Sequence, residues 1–182
     1  TLKISAYVSC LYNMKKNEFS NTCNRDETIY FDCYNGLDLG GIESWTKLIC
    51  NELYEKGWNV KIITDMHKYR DEEQIEQMVE HISVDHIQKD EVADIKKIVS
   101  FLKEKLPFTF VSSQANIMLQ AVCILKVFFP QNIKIISVIH AGLDRFYNAY
   151  CSLDKYIDKF VAVSEDIQRE MIKRGVAENK VL

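Results

Sequence analysis

Apolar positions along this chain follow two periods, and each switch between them marks the edge of an element. LKISAYVSC (2 to 10) alternates Leu2, Ile4, Ala6, Val8 and Cys10 with more polar neighbours, as a half-buried strand does. YNMKKNEFSNTCNRDE (12 to 27) has no period and reads as a long polar loop. TIYFDCYN (28 to 35) is rich in β-branched and aromatic residues and predicts a strand that enters a glycine turn. A helix over 41 to 56 follows, with Ile42, Trp45, Leu48, Ile49 and Leu53 as its apolar stripe and Gly57 at its end. The segment through Asp65 then returns as a strand.

The same alternation continues downstream. RDEEQIEQMVEHI (70 to 82) carries Ile75, Met78, Val79 and Ile82 at helical spacing, and ISVDHI (82 to 87) reads as a short strand. DEVADIKKIVSFLKEKL (90 to 106) sets Val92, Ile95, Val99, Leu102 and Leu106 on one face, with acids first and lysines last, as the helix dipole favours. FTFVSS (108 to 113), NIKIISVIH (132 to 140) and KFVAVS (159 to 164) predict strands, separated by helices over 114 to 129 and 145 to 157. A last helix over 165 to 175 closes at Gly175. Strands this continuously apolar belong to a sheet covered on both sides. The expected fold is therefore α/β: a doubly wound, mostly parallel, Rossmann-like sheet with helices on both faces.

Composition narrows the reading. A length of 182 residues with 47% apolar content suits one core, so residues 1 to 27 are expected as an N-terminal extension and 28 to 182 as one domain. A net charge of −3 gives no field for a polyanion and argues against nucleic acid as a partner. The six cysteines form no Cys-x-x-Cys pair, which argues against zinc and favours a cytosolic compartment. The most apolar run, 117 to 129, is shorter than a bilayer span and broken by Gln120 and Lys126. The expectation is a chain without a transmembrane segment, cytoplasmic or at most peripheral at the inner membrane face.

In an open parallel sheet the ligand crevice lies beyond the carboxyl ends of the strands. Those ends are polar here: Asn35, Thr64 with Asp65, Ser112 with Ser113, His140 and Ser164. Gly40 and Gly41 stand directly ahead of a helix N-terminus, where missing side chains let a phosphate approach unpaired N–H groups. The spacing in GLDLGG (36 to 41) is neither the dinucleotide fingerprint nor a P-loop. Glu43, in the first helical turn, suits the dipole and would repel a phosphate, so helix stabilisation is its expected role. His140 is followed by Ala141 and Gly142, small residues that open the backbone to a ligand. His67, His81 and His86 lack such a setting and are read as surface or loop residues, without a metal site. The candidate ligand contacts are thus Asn35, Gly40, Gly41, Ser113, His140 and Gly142.

GLDLGGIESWTKLICNELYEKGWNVKIITD (36 to 65), VIHAG (138 to 142) and DKFVAVSEDIQREMIKRGVAENKVL (158 to 182) together resemble the N-terminal domain of GT-B-fold glycosyltransferases, particularly the retaining family four. The resemblance covers 28 to 182. It implies transfer of a sugar from a nucleotide-diphosphate donor to a saccharide, lipid-linked or protein acceptor, with retention, no cofactor and no obligatory metal. It also implies a C-terminal donor-binding domain with paired glutamates beyond this sequence, and a fragment inactive alone. Gly40 and Gly41 would then approach the diphosphate, and His140 would be the catalytic contact to the donor sugar or its phosphate. Two competing readings are a non-catalytic, flavodoxin-like module that binds a nucleotide or phosphosugar, and a Rossmann epimerase or dehydrogenase. The second is weakened by the missing Gly-x-Gly-x-x-Gly.

Overall fold

A computed structural model describes residues 27–33, 36–37, 40–64, 73–82 and 90–182. The expected strand at 2 to 10, nearly all of the polar loop, Asn35, Asp65 and the stretch from 83 to 89 lie outside the described residues. Six strands form one sheet: β1 (Thr28–Asp32), β2 (Val60–Thr64), β3 (Val79–His81), β4 (Phe108–Ser112), β5 (Ile133–Ile139) and β6 (Lys159–Ala162). Their order is β3-β2-β1-β4-β5-β6, and every neighbouring pair is parallel. The helices are α1 (Gly41–Glu55), α2 (Glu73–Met78), α3 (Glu91–Lys103), α4 (Ile117–Phe128), α5 (Asp144–Leu153) and α6 (Glu165–Lys173). The chain winds outward from β1 to β3, then crosses back to β4 and winds the other way. Strand order therefore reverses between β1 and β4, where crevices form in such sheets.

Alternation along each strand sorts the core into two faces. Tyr30, Phe108, Phe110, Ile135, Ile139 and Phe160 join Ile98, Leu102, Met118, Leu125, Tyr150 and Met171 from α3 to α6. Ile29, Phe31, Val60, Ile62, Val111 and Val138 join Ile49, Cys50 and Leu53 of α1 with Ile75 and Met78 of α2. Each such side chain contributes roughly 1.5–3 kcal/mol when fully buried. Cys33, Cys50 and Cys123 are buried free thiols and Cys151 is half-buried. They pack as small apolar groups.

Several elements depart from the sequence expectation. The buried face of α1 is Thr46, Ile49, Cys50 and Leu53, while Leu48 is 43% exposed. In α3 the buried face is Asp94, Ile98 and Leu102, and Val92 is exposed. A helix on a sheet buries a stripe only about 100° wide, and both helices carry apolar residues over a wider arc. The partner surface then chooses the stripe. The helical spacing over 70 to 82 places Val79 in a helix, yet α2 stops at Met78 and residues 79–81 form β3, in register with Ile62, Ile63 and Thr64. The open edge of β2 offers a backbone ladder there, which outweighs a weak helical period. Of the short strand expected at 82 to 87 only Ile82 lies within the described residues, and it donates its N–H to Thr64 O at 2.9 Å.

Helix ends also shift. Asn116 caps α4, its Oδ1 accepting the N–H of Met118 at 3.0 Å and of Leu119 at 3.2 Å, so the helix starts at 117 rather than 114. Residues 145 to 157 split into α5, starting at Asp144, and a 3-10 turn over Asp154–Tyr156. Gly57 and Gly175 follow α1 and α6 at φ +78 and +99, the left-handed conformation that ends helices.

Candidate functional site at the carboxyl edge of the sheet

β1 ends at Asp32, three residues before the expected Asn35. Asp32 is almost fully buried, at the switch point, and its Oδ2 accepts an N–H from Asn116 Nδ2 at 2.9 Å. The cap of α4 is thereby tied to the end of β1 across 84 residues of sequence. Asn116 spends its carbonyl on the helix and its amide on the carboxylate, which sets the orientation of the side chain. Burial, and then the Asp32 carboxylate, push the Tyr150 phenol well above its ordinary pKa. Its hydroxyl keeps its proton and remains a donor.

Above the ends of β4 and β5 lies a crevice of about 170 Å³, lined by Ile42, Ser113, Gln114, Ile139, His140, Ala141, Phe146 and Tyr150. Its walls come from the first turn of α1, the loop after β4, the end of β5 and the inner face of α5. Ser112 Oγ donates to Gln114 O at 2.6 Å and holds that loop in shape. Two polar atoms are buried here without a hydrogen-bond partner: Ser113 Oγ and His140 Nε2. Buried polar groups are normally paired, so these two atoms hold hydrogen-bonding capacity that a bound molecule or a water can take up.

The His140 imidazole stands edge-on to the Trp45 indole, ring centroids 4.9 Å apart and planes at 73°. Trp45 in turn tilts against Phe31 of β1 at 6.4 Å. Burial lowers the His140 pKa from 6.5 to about 4. At neutral pH the ring is therefore uncharged, with one nitrogen donating and the other accepting. It can hydrogen-bond a hydroxyl. It does not offer the positive charge that would attract a phosphate.

Gly40 is the N-cap of α1, in extended backbone that any residue adopts (φ −176). Its importance is spatial: the Glu43 carboxylate occupies the volume a Gly40 side chain would fill. Glu43 thus turns back toward the first turn of its own helix. Gly41 is exposed, and a Cβ there would meet nothing within 4 Å. Gly142 is exposed as well, but a Cβ on it would stand 2.9 Å from the Tyr147 hydroxyl oxygen. Arg174 stacks on the Tyr147 ring at 4.7 Å and is bonded to Asp144, to Asn148 at 3.0 Å and to Glu170 at 2.8 Å, which locks α5 to α6.

Of the residues expected at the site, Ser113 and His140 meet in one crevice, with Gly40 and Gly41 on its α1 side beside Ile42. Gly142 lies just past the β5 rim and gives room to Tyr147. Ser164 serves instead as the N-cap of α6, accepting from the Ile167 N–H at 3.4 Å. Thr64 is buried at the end of β2, and His81 is exposed on β3. Sequence reasoning missed Asp32, Gln114, Phe146 and Tyr150. Phe146 and Tyr150 stand four residues apart in the aromatic helix already noted, a spacing that puts them on one face.

The sequence profile described as Glycosyltransferase Family 4 matches residues 39–182. No curated protein matches the sequence. Among solved structures, the apo form of lipopolysaccharide outer core galactosyltransferase WaaB superimposes with a TM-score of 0.66 at 16% identity, over 85% of this chain and 44% of that one. A UDP-GlcNAc 2-epimerase from Methanocaldococcus jannaschii superimposes with a TM-score of 0.56 at 16% identity, also over 85% and 44%. The chain thus spans less than half the length of these structural relatives. At that identity they establish the shared fold.

Proposed function

Because the chain belongs to glycosyltransferase family 4, we propose that it is the acceptor-side, N-terminal half of an enzyme that moves a sugar from a nucleotide-diphosphate donor to an acceptor, with retention and without an obligatory metal. The carrying observation is the pair of orphaned polar atoms, Ser113 Oγ and His140 Nε2, on one crevice beside the N-terminus of α1. A neutral imidazole and a serine hydroxyl suit the hydroxyls of a sugar ring, with Phe146 and Tyr150 as apolar walls. In this reading His140 touches the donor sugar rather than its phosphate. The diphosphate falls to the first turn of α1, where Gly40 and Gly41 bring backbone N–H groups to developing negative charge.

The crevice volume supports a divided site. At about 170 Å³ it is smaller than the roughly 300–1,000 Å³ of sites that hold a whole drug-sized ligand. It accommodates one ring, so the nucleoside is assigned to a C-terminal donor-binding domain outside this sequence, and the isolated domain is expected to transfer nothing. A cytoplasmic location accords with the free cysteines and with the lack, among the described residues, of a helix long and apolar enough to cross a membrane. The test is made with the intact parent polypeptide and a panel of nucleotide sugars and of saccharide, lipid-linked and protein acceptors. Product should form, and donor should shift the ring-nitrogen resonances of His140. Transfer unchanged by His140→Ala would remove the proposed contact. Donor binding with no transfer to any acceptor would return the chain to a binding module.

A further inference from the structure

One layer of the sheet is polar where the layer beneath it is apolar. Asp32, Ser112 and Ser137 follow Tyr30, Phe110 and Ile135 on the same face of β1, β4 and β5, and all three are buried. Ser112 and Ser137 are in register, and the pairing of Phe31 with Val111 puts Asp32 next to Ser112. Ser137 Oγ is buried without a hydrogen-bond partner. Tyr150 of α5 packs on this face and also lines the crevice beside Ile139, which follows Ser137 on the same face of β5. Its ring is 2% exposed and stands edge-on to Phe160 of β6, centroids 6.3 Å apart. The Asp32 carboxylate is near enough for its charge to act on the phenol, and the N–H that Asn116 Nδ2 donates to Asp32 Oδ2 fixes the carboxylate in place.

A hydroxyl dipole orients in the local field, so a phenol beside a carboxylate turns its O–H toward the negative charge. The proton then points to Asp32, and the oxygen lone pairs are left for the crevice. We propose that Tyr150 is a specificity-determining residue of the crevice, its phenol oxygen accepting a hydrogen bond from a ring hydroxyl of the bound sugar, with Asp32 as the positioning residue that keeps the O–H turned away. The site then demands a donor at this point. A deoxy or ether group there leaves a buried acceptor unpaired and binds more weakly. The inference rests on the sugar site proposed above and adds a third polar contact to it.

Carbon and nitrogen NMR of the intact parent polypeptide tests it, with tyrosine labelled at Cζ and histidine at its ring nitrogens. The probes are the methyl glycosides of glucose, galactose, mannose and N-acetylglucosamine, and the control is tetrahydropyran, the same ring without hydroxyls. The Tyr150 signal is the one that Tyr150→Phe removes. At least one glycoside should shift both Tyr150 Cζ and the His140 ring nitrogens, while tetrahydropyran leaves the Cζ signal in place. Tyr150→Phe should weaken binding of that glycoside about three- to tenfold and leave the control unaffected. Asp32→Asn keeps the shape of the side chain and removes its charge, so the Cζ response to the glycoside should be lost although Tyr150 is still present. Tyr150→Phe decides the matter if Asp32→Asn fails to fold. Glycosides that shift His140 but not Tyr150, or a Tyr150→Phe variant with the parent's affinity, would overturn this inference and leave the sugar site standing. Glycosides that shift neither residue would overturn the sugar site and this inference with it.

Discussion

His140 and Trp45 form an edge-to-face pair, centroids 4.9 Å apart, that joins the end of β5 to the first turns of α1. The indole keeps water from one side of the imidazole, and burial holds its pKa near 4. Trp45→Ala should let water in and raise the His140 pKa toward its ordinary 6.5, as read from its ring-proton shifts against pH. A pKa that stays near 4 would show that the tryptophan is not what desolvates the ring.

A histidine kept neutral in the folded state also makes stability depend on pH. Above about pH 6.5 neither state binds the proton, and the shift contributes nothing. Below it the unfolded chain takes up the proton and the folded one does not, until pH falls through about 4. Stability should therefore decline between those values, by at most about 1.4 kcal/mol per pH unit, and His140→Gln should remove that part of the decline. Identical urea midpoints for the two proteins across this window would refute the assignment.

In the intact enzyme, His140→Ala should lower kcat/KM by about 1 to 3 kcal/mol of transition-state stabilisation, the range for a lost polar contact near developing charge. Ser113→Ala, which removes the other orphaned atom, should cost less than His140→Ala and should not destabilise the fold, because its hydroxyl has no partner to lose. Steady-state kinetics and a thermal melt of each variant decide both points.

Gly40 and Gly41 should respond differently to alanine. A methyl on Gly41 meets nothing, so Gly41→Ala should change stability by no more than about 0.5 kcal/mol while impairing turnover, if a diphosphate approaches there. A methyl on Gly40 must turn aside the flexible end of Glu43, and alanine is a poorer N-cap than glycine, so Gly40→Ala should cost about 0.5–1 kcal/mol. Equal losses of stability would place both glycines on backbone grounds alone.

The Asp32 to Asn116 bond carries its own test. Asp32→Ala leaves the half-buried Asn116 amide without its acceptor, and Asn116→Ala removes both that donor and the cap of α4. Each should cost about 1–3 kcal/mol. The double variant should lose less than the sum, by at least about 0.5 kcal/mol, because the two share one interaction. Strict additivity in denaturant unfolding would mean that the bond contributes nothing.

Much of this protein is written in local sequence. The β-branched runs at 133 to 139 and 108 to 112 and the glycines after α1 and α6 depend on near neighbours, so the βα order and a doubly wound, mostly parallel sheet covered on both faces were legible in the chain. His140 and Ser113 were legible for the same reason, as polar ends of apolar strands. What the chain could not settle locally is orientation. Which arc of α1 and α3 is buried, and whether Val79 extends or coils, depend on the surfaces those segments meet, since a broad apolar arc or a short run fits more than one of them. Asp32 entered the site only because β1 stops early and α4 begins beside it, 84 residues along the chain. The crevice itself, with a neutral imidazole and an unpaired hydroxyl on its rim, exists only once α1, β4, β5 and α5 are brought together, because burial and orphaned hydrogen bonds are properties of packed surfaces and not of sequence neighbours.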